Sequence, residues 1–136
     1  MKPLFIEPTE FTPLVRFEPE KGEFEFGGFS RPENVSGFYN PILEYIDEYE
    51  KSILDDPFFK RGTVLNVLFK LKYFNSASSK FILDLINTLI EFEDKGLDIR
   101  IEWYYDEGDE TILESGEDLS DIADVPFHYI EQKPEE

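Results

Sequence analysis

Alternating apolar and polar residues predict two opening strands, at positions 14–18 and 23–28. Successive side chains of a strand point to opposite faces, so the phenylalanines at alternate positions share one face. The Pro-Glu-Lys-Gly at 19–22 favours a turn between them. The pattern therefore predicts a β-hairpin.

A first helix is predicted by apolar residues that recur every three or four positions. The stripe consists of Ile42, Ile46, Tyr49 and Ile53. Asn40 and Pro41 suit the N-cap and first turn of this helix, and the Asp-Asp-Pro at 55–57 ends it. We expect the stripe to be buried.

The longest apolar run, at 63–74, predicts a strand, and apolar residues on both faces at its start indicate cover on two sides there. The later elements are a second helix ending at Asp94, a strand at 97–105, a third helix at about 110–123 and a short strand at 125–130, with a frayed tail at 131–136. This order predicts a single-domain α/β sandwich over residues 1–136. Its mixed sheet starts with the hairpin, continues with parallel strands and packs against about three helices.

Composition excludes several classes of function. The 136 residues include 31 acids and 13 bases, a formal net charge of −18, so binding of nucleic acid through a basic face is excluded. The absence of Cys excludes disulfide scaffolds and thiolate sites, and the single histidine, His128, excludes a two-His metal site. With no secretory signal and no apolar span, we expect a cytoplasmic protein without membrane insertion.

The charge is distributed unevenly. Residues 102–136 hold 13 acids and one base, which is typical of a solvated acidic surface. Residues 57–83 hold no acid and five bases: Lys60, Arg61, Lys70, Lys72 and Lys80. This positive window is where we expect an anionic partner or an added anion.

Within this window, the segment Asn75-Ser76-Ala77-Ser78-Ser79-Lys80 joins a core strand to the second helix. Ligands and modifications commonly lie where strands end and helices begin in open α/β sheets. Small polar residues also cap the free N–H groups of a first helical turn, although one Ser or Asn suffices. A phosphate here would meet free N–H groups, the positive helix end and Lys80. The residues alone leave both a plain cap and a phosphoacceptor loop open.

Five motifs extend across nearly the whole chain. They are Arg31-Pro32-Glu33-Asn34, the segment 71–80 (Leu-Lys-Tyr-Phe-Asn-Ser-Ala-Ser-Ser-Lys), the segment 103–110 (Trp-Tyr-Tyr-Asp-Glu-Gly-Asp-Glu), Gly116-Glu117-Asp118 and Pro126-Phe127. Their order and spacing resemble the SiaC family of bacterial regulatory phosphoproteins, which act in partner-switching pathways that control cyclic-di-GMP signalling and biofilm formation. The resemblance implies a fold broadly like that of anti-sigma-factor antagonists.

The resemblance also implies a mechanism. In the family, a serine/threonine kinase phosphorylates the hydroxyl residue that follows a Tyr-x-Asn motif, and a PP2C-type phosphatase removes the phosphate. The unphosphorylated form binds and activates a diguanylate cyclase. By this resemblance Ser76, where the family usually has Thr, is the phosphoacceptor, with Ser78 and Ser79 as alternatives and Asn75 and Lys80 beside the phosphate. The chain is then a non-enzymatic switch that needs no cofactor or metal.

Five residues outside the loop are candidates for a partner surface. They are Lys70, Lys72, Trp103, Tyr104 and Asp106. Exposed Trp and Tyr often anchor interfaces, but in the run 103–105 core and edge packing is the alternative, because one strand face buries at most two of three successive rings.

Two other functions are compatible with the composition. The many carboxylates would suit an acidic hydrolase or a metal-dependent enzyme, although no acid falls within the apolar part of a predicted strand. A calcium loop starting at Asp106 has Thr111 where the sharp turn requires Gly, so a solvated loop with Asp109 or Glu110 near a helix start is the better interpretation. The acidic region 102–136 would suit an interaction or decoy protein that mimics nucleic acid.

Overall fold

The computed structural model describes residues 1–134, which form six strands and three α-helices. The elements are β1 (Leu4–Ile6), β2 (Leu14–Glu18), β3 (Glu23–Ser30), α1 (Val35–Leu54), β4 (Thr63–Phe74), α2 (Ser76–Glu91), β5 (Leu97–Asp106), α3 (Glu110–Ala123) and β6 (His128–Gln132). A 3₁₀ turn, Phe92–Lys95, extends α2 to Gly96. Within the described residues, no helix has both the length and the apolar character needed to cross a bilayer.

All six strands form one sheet in which the spatial order equals the order along the chain. The pairs β1–β2 and β2–β3 are antiparallel, whereas β3–β4, β4–β5 and β5–β6 are parallel. The predicted fold class is thus confirmed. Parallel crossovers are right-handed, so three successive crossovers in the same direction place all three helices on one face of the sheet.

The core lies between that face and the helices. Its sheet layer is aromatic, and the rings of Phe26 and Phe69 stack with centroids 5.4 Å apart. From α1, the ring of Tyr49 packs 4.7 Å from that of Phe17. The predicted stripe of α1 is confirmed for three of its members, while Ile53 is only half-buried.

Helix α1 begins six residues earlier than predicted, because Asn34 rather than Asn40 is its N-cap. The side-chain oxygen of Asn34 accepts a hydrogen bond from the Gly37 N–H at 3.1 Å. Pro41 therefore lies inside the helix, where it leaves one backbone hydrogen bond unmade. The extra turn brings Tyr39 into the core, and its burial offsets this cost.

The two ends of the chain also differ from the prediction. The three-residue β1 was not predicted; it is short and lies between Pro3 and Pro8. Strand β6 is shifted towards the C-terminus, so Glu131 and Gln132 pair with β5 instead of fraying. Of the expected tail 131–136, residues 135 and 136 lie outside the described part.

The face of the sheet opposite the helices carries no second layer among residues 1–134. The prediction that the start of β4 is covered on two sides is wrong, because Val64 is 45 % exposed. Cover on both faces requires crossovers in both directions, and here every crossover runs the same way. We call this surface the open sheet face.

Candidate functional site

Ser76 is the first residue of α2, and its side chain is exposed. The preceding residue, Asn75, is the N-cap: its side-chain oxygen accepts from the Ser78 N–H, and its carbonyl accepts from the Ser79 N–H, both at 2.9 Å. Among residues 1–134, the Ser76 hydroxyl makes no side-chain hydrogen bond. The cap therefore does not require Ser76, and its hydroxyl is free to react.

Ser78 lies on the opposite side of this turn, in a buried chain of hydroxyl groups. The Tyr39 and Ser30 hydroxyls are 2.6 Å apart, Ser30 Oγ donates to Ser78 Oγ at 2.8 Å, and Ser78 Oγ donates to the Ser30 carbonyl at 3.0 Å. All three side chains are buried, and burial raises the pKa of Tyr39. The prediction of Ser78 as an alternative phosphoacceptor is wrong for the folded protein, because no kinase can reach a fully buried hydroxyl.

The loop is joined to β3 through the backbone as well, since the Asn75 N–H donates to the Ser30 carbonyl at 3.0 Å. Ser79 is half-buried. Lys80 is exposed, one helical turn after Ser76. Of the three predicted hydroxyls, Ser76 is thus the most accessible, and its surroundings combine a helix N-terminus with one nearby cation.

The five bases of the positive window do not form one patch. Lys60 and Arg61 precede β4, whose 12 residues separate them from Ser76 by about 40 Å. Lys70 and Lys72 lie on the open sheet face, where they face acids. Only Lys80 belongs to the same turn as Ser76, so the expected anion-binding window is dispersed in the fold.

The open sheet face is covered by charged side chains that pair across the strands. Arg16 binds Glu18 at 2.5 Å and Glu25 at 2.6 Å, and these hydrogen bonds raise the pKa of its guanidinium. Lys72 binds Asp106 at 2.8 Å. Leu68 is buried on this face, between its register partners Glu25 and Glu102.

Four of the five candidates for a partner surface meet on the open sheet face: Lys70, Lys72, Tyr104 and Asp106. The Lys70 ammonium lies 4.9 Å from the centre of the Tyr104 ring. Burial, together with the nearby Glu102 carboxylate, raises the pKa of the Tyr104 hydroxyl.

The prediction that Trp103 contributes to a partner surface is wrong, because its side chain points to the helices and is fully buried. Its indole N–H donates to the Ile112 carbonyl at 2.9 Å. An added Cβ at Gly116 would lie 2.5 Å from the indole nitrogen. Trp103 is therefore the residue on which α3 packs.

A hollow of about 520 Å³ lies on the open sheet face near the carboxyl ends of the parallel strands. Its lining consists of Pro8, Leu14, Glu25, Gly27, Gly28, Phe29, Lys70, Lys72 and Gln132. Glu25 is the one acid in this lining and is already bound by Arg16. The hollow thus offers no pair of carboxylates for acid–base chemistry.

Residues 6–132 match the SiaC family of regulatory phosphoproteins. The chain belongs to this family. An uncharacterized protein of Pseudomonas aeruginosa (strain UCBPP-PA14) is 26 % identical to this SiaC-family chain over 127 residues, 93 % of this chain and 94 % of the relative.

Solved structures of SiaC from Pseudomonas aeruginosa have the same fold. One superposes with a TM-score of 0.77 at 24 % identity and covers 98 % of this chain and 100 % of that one. Another, of the diguanylate cyclase SiaD in complex with its activator SiaC, gives a TM-score of 0.78 at 24 % identity over 96 % of this chain and 99 % of that one. The comparison shows that the six-stranded sheet and its three helices are the SiaC fold.

The motifs that pointed to the SiaC family lie mainly at the carboxyl edge of the sheet. The motif at 31–34 links β3 to the cap of α1, and the motif at 103–110 leads from β5 into α3. Asp109 caps α3 by accepting from the Ile112 N–H at 3.1 Å, which confirms the expected loop at a helix start.

Two residues of the site, Ser30 and Tyr39, were missed from the sequence. Their contacts with Ser78 join positions up to 48 residues apart, and no local pattern encodes such a pairing. The available signal in the sequence was a break in the alternation of this strand, since Phe29 and Ser30 fall out of phase with Phe24 and Phe26.

Proposed function

We propose that this SiaC-family chain is a non-enzymatic signalling switch controlled by phosphorylation of Ser76. The observation that carries the proposal is the contrast on one helical turn between an exposed Ser76 that the cap does not use and a Ser78 buried in hydrogen bonds. A kinase can reach the first hydroxyl without unfolding the turn.

Phosphorylation would change the charge of this turn strongly. A phosphoserine adds about −1.5 to −2 charges and three acceptor oxygens. At the first position of α2 these oxygens meet the helix N-terminus and, one turn on, the Lys80 ammonium. The phosphate is therefore stabilised locally, while the surface that it occupies becomes unsuitable for an acidic partner.

The proposed target is a diguanylate cyclase. The support is a relative of the same fold, SiaC of Pseudomonas aeruginosa, whose structure in complex with SiaD describes it as the activator of that cyclase. In our proposal the unphosphorylated chain binds and activates its cyclase, a serine/threonine kinase adds the phosphate, and a PP2C-type phosphatase restores the active form.

The test uses the diguanylate cyclases of the source organism, each purified and assayed for cyclic-di-GMP production with and without this chain. We expect one cyclase to be activated by the wild type and by Ser76→Ala, but not by Ser76→Asp. Ser79→Asp, which adds the same charge three residues later, is the matched control. If no cyclase responds to the wild type, or if Ser79→Asp is inactive and Ser76→Asp is active, the proposal is wrong.

The modification is tested separately by intact-mass measurement after incubation with ATP and the kinase fraction of the source organism. We expect one added phosphate, mapped to Ser76, that a PP2C-type phosphatase removes. Phosphate on Ser79 alone, or no phosphate, would contradict the assignment.

A further inference from the structure

Parallel sheets usually have both faces covered, yet here the second face of four parallel strands carries no layer within residues 1–134. The hollow in this face lies where side chains are small or apolar: Gly27 and Gly28 lack side chains, and Leu14 and Pro8 form its wall. Phe29, which also lines the hollow, is 44 % exposed, and its strand partner Tyr73 is 40 % exposed. The exposed Phe29 ring beside two glycines leaves space for a side chain of a partner.

The hollow adjoins the Ser76 loop through the backbone. Phe29 of the lining is followed by Ser30, whose carbonyl accepts from the Asn75 N–H at 3.0 Å, and Asn75 precedes Ser76. The Ser76 loop is therefore joined to Phe29 of the hollow by a short backbone path.

The electrostatics of the hollow select the partner. Lys70, Lys72 and Glu25 are the charged residues of its lining. Lys72 is bound to Asp106 at 2.8 Å, whereas among residues 1–134 Lys70 has no carboxylate closer than 3.8 Å. The Glu25 carboxylate receives the Arg16 guanidinium at 2.6 Å and lies 3.8 Å from Lys70 Nζ. The Lys70 side chain is about one third exposed, and its ammonium thus has donors available for another carboxylate.

We propose that this hollow is the docking site for the cyclase, and that it receives a segment in which an acidic residue neighbours an apolar or aromatic one. The apolar side chain enters between Leu14, Phe29 and the glycine floor, and the acidic one binds Lys70. Phosphate on Ser76 then releases the segment by repulsion of like charges. This inference rests on the proposed function and adds to it the surface and the chemistry of the partner.

The test compares variants of the full-length chain against the cyclase that the wild type activates, with affinity and cyclic-di-GMP production as readouts. Gly27→Leu fills the hollow; its Cβ would lie at an ordinary contact distance of 3.7 Å from the nearest atoms, and circular dichroism checks that the variant is folded. We expect Gly27→Leu and Phe29→Ala each to weaken binding by about tenfold or more. Phe58→Ala, which removes an exposed ring that does not line the hollow, is the control and should bind as the wild type does.

Charge is tested with Lys70→Gln, for which Lys60→Gln in the same positive window is the control. We expect only Lys70→Gln to weaken binding, and to flatten the dependence of binding on salt. If the hollow variants bind like their controls while Ser76→Asp still releases the cyclase, this inference is wrong and the proposed function stands. If no cyclase is activated by the wild type, the proposed function itself has failed.

A second copy of the chain is the other occupant that the test detects. Sedimentation of the wild type and of Gly27→Leu measures this directly. A wild-type dimer that Gly27→Leu converts to a monomer, without loss of cyclase activation, would overturn the inference.

Discussion

Substitution of Ser76 and of Ser78 should separate modification from stability. The Ser78 hydroxyl accepts a hydrogen bond from Ser30 Oγ at 2.8 Å and donates one to the Ser30 carbonyl at 3.0 Å. Each such bond contributes about 1 kcal/mol net to the free energy of unfolding, so Ser78→Ala should lose about 2 kcal/mol. Ser76→Ala removes an exposed hydroxyl and should change the free energy by about 0.5 kcal/mol at most.

The partners of Ser78 make this value a lower bound for the loss. In Ser78→Ala, the Ser30 carbonyl still accepts from the Asn75 N–H, and the Ser30 hydroxyl remains 2.6 Å from that of Tyr39. However, Ser30 Oγ loses the acceptor of its proton, so the buried Ser30 and Tyr39 hydroxyls keep one hydrogen bond for two protons, and the penalty for one unsatisfied donor adds to the loss.

Urea unfolding followed by circular dichroism measures the free energies of unfolding of the two variants. A thermal scan should show a melting temperature about 8 °C lower for Ser78→Ala, at about 4 °C per kcal/mol for a domain of this size. Incubation with ATP and the kinase fraction measures whether each variant can still be phosphorylated. Ser78→Ala should still accept phosphate, whereas Ser76→Ala should accept none. Normal stability with lost phosphorylation in Ser78→Ala would refute the reasoning, because it would make the buried hydroxyl the acceptor.

Three further predictions concern the core, the helix start and alkaline pH. Gly116→Ala places a Cβ 2.5 Å from the Trp103 indole nitrogen, and we expect a loss of about 2 kcal/mol in urea unfolding together with a shift of the Trp103 fluorescence, even though Ala favours the helix. Ser76→Asp adds negative charge at the start of α2 and should raise the free energy of unfolding by about 0.3–1 kcal/mol at low salt; a decrease would argue against a stabilised phosphate. Burial raises the pKa of Tyr49 to about 12, above its ordinary value of 10, so its contribution to stability is complete below pH 10 and lost as the pH rises to 12. Tyr49→Phe should therefore show a smaller fall in the free energy of unfolding between pH 9 and 12 than the wild type, measured by urea titration.

Strand β4 and helix α3 could be predicted almost to the residue, because each has a regular pattern and an unambiguous end. The start of α1 could not. Asn34 and Asn40 are both good caps, and Pro41 made the second choice the stronger local signal. Packing of Tyr39 under Ser30 decides between them, and this contact does not exist until the sheet has formed.

Only part of the candidate site could be predicted, because the rest depends on contacts between positions that are distant along the chain. That Ser76 lies at a helix start follows from local sequence, but that Ser78 turns inward depends on β3, which is distant along the chain. Likewise the alternation in β5 predicts two faces for the aromatic run without stating which one the helices cover. Trp103 was therefore assigned to a surface that it does not reach.

The position of the charges follows from the same topology and bears on how a partner can approach. On the open sheet face, basic side chains are paired with acids of the same face. On the other side of the molecule, α3 contains no base and presents exposed acids, which are Glu110, Glu114, Glu117, Asp118 and Asp121. An acidic segment is repelled from α3 but can approach Lys70 on the open sheet face, and a phosphate on Ser76 would add negative charge at the start of α2, next to the end of β3. The phosphate on Ser76 would then prevent an acidic segment from binding without any change of fold.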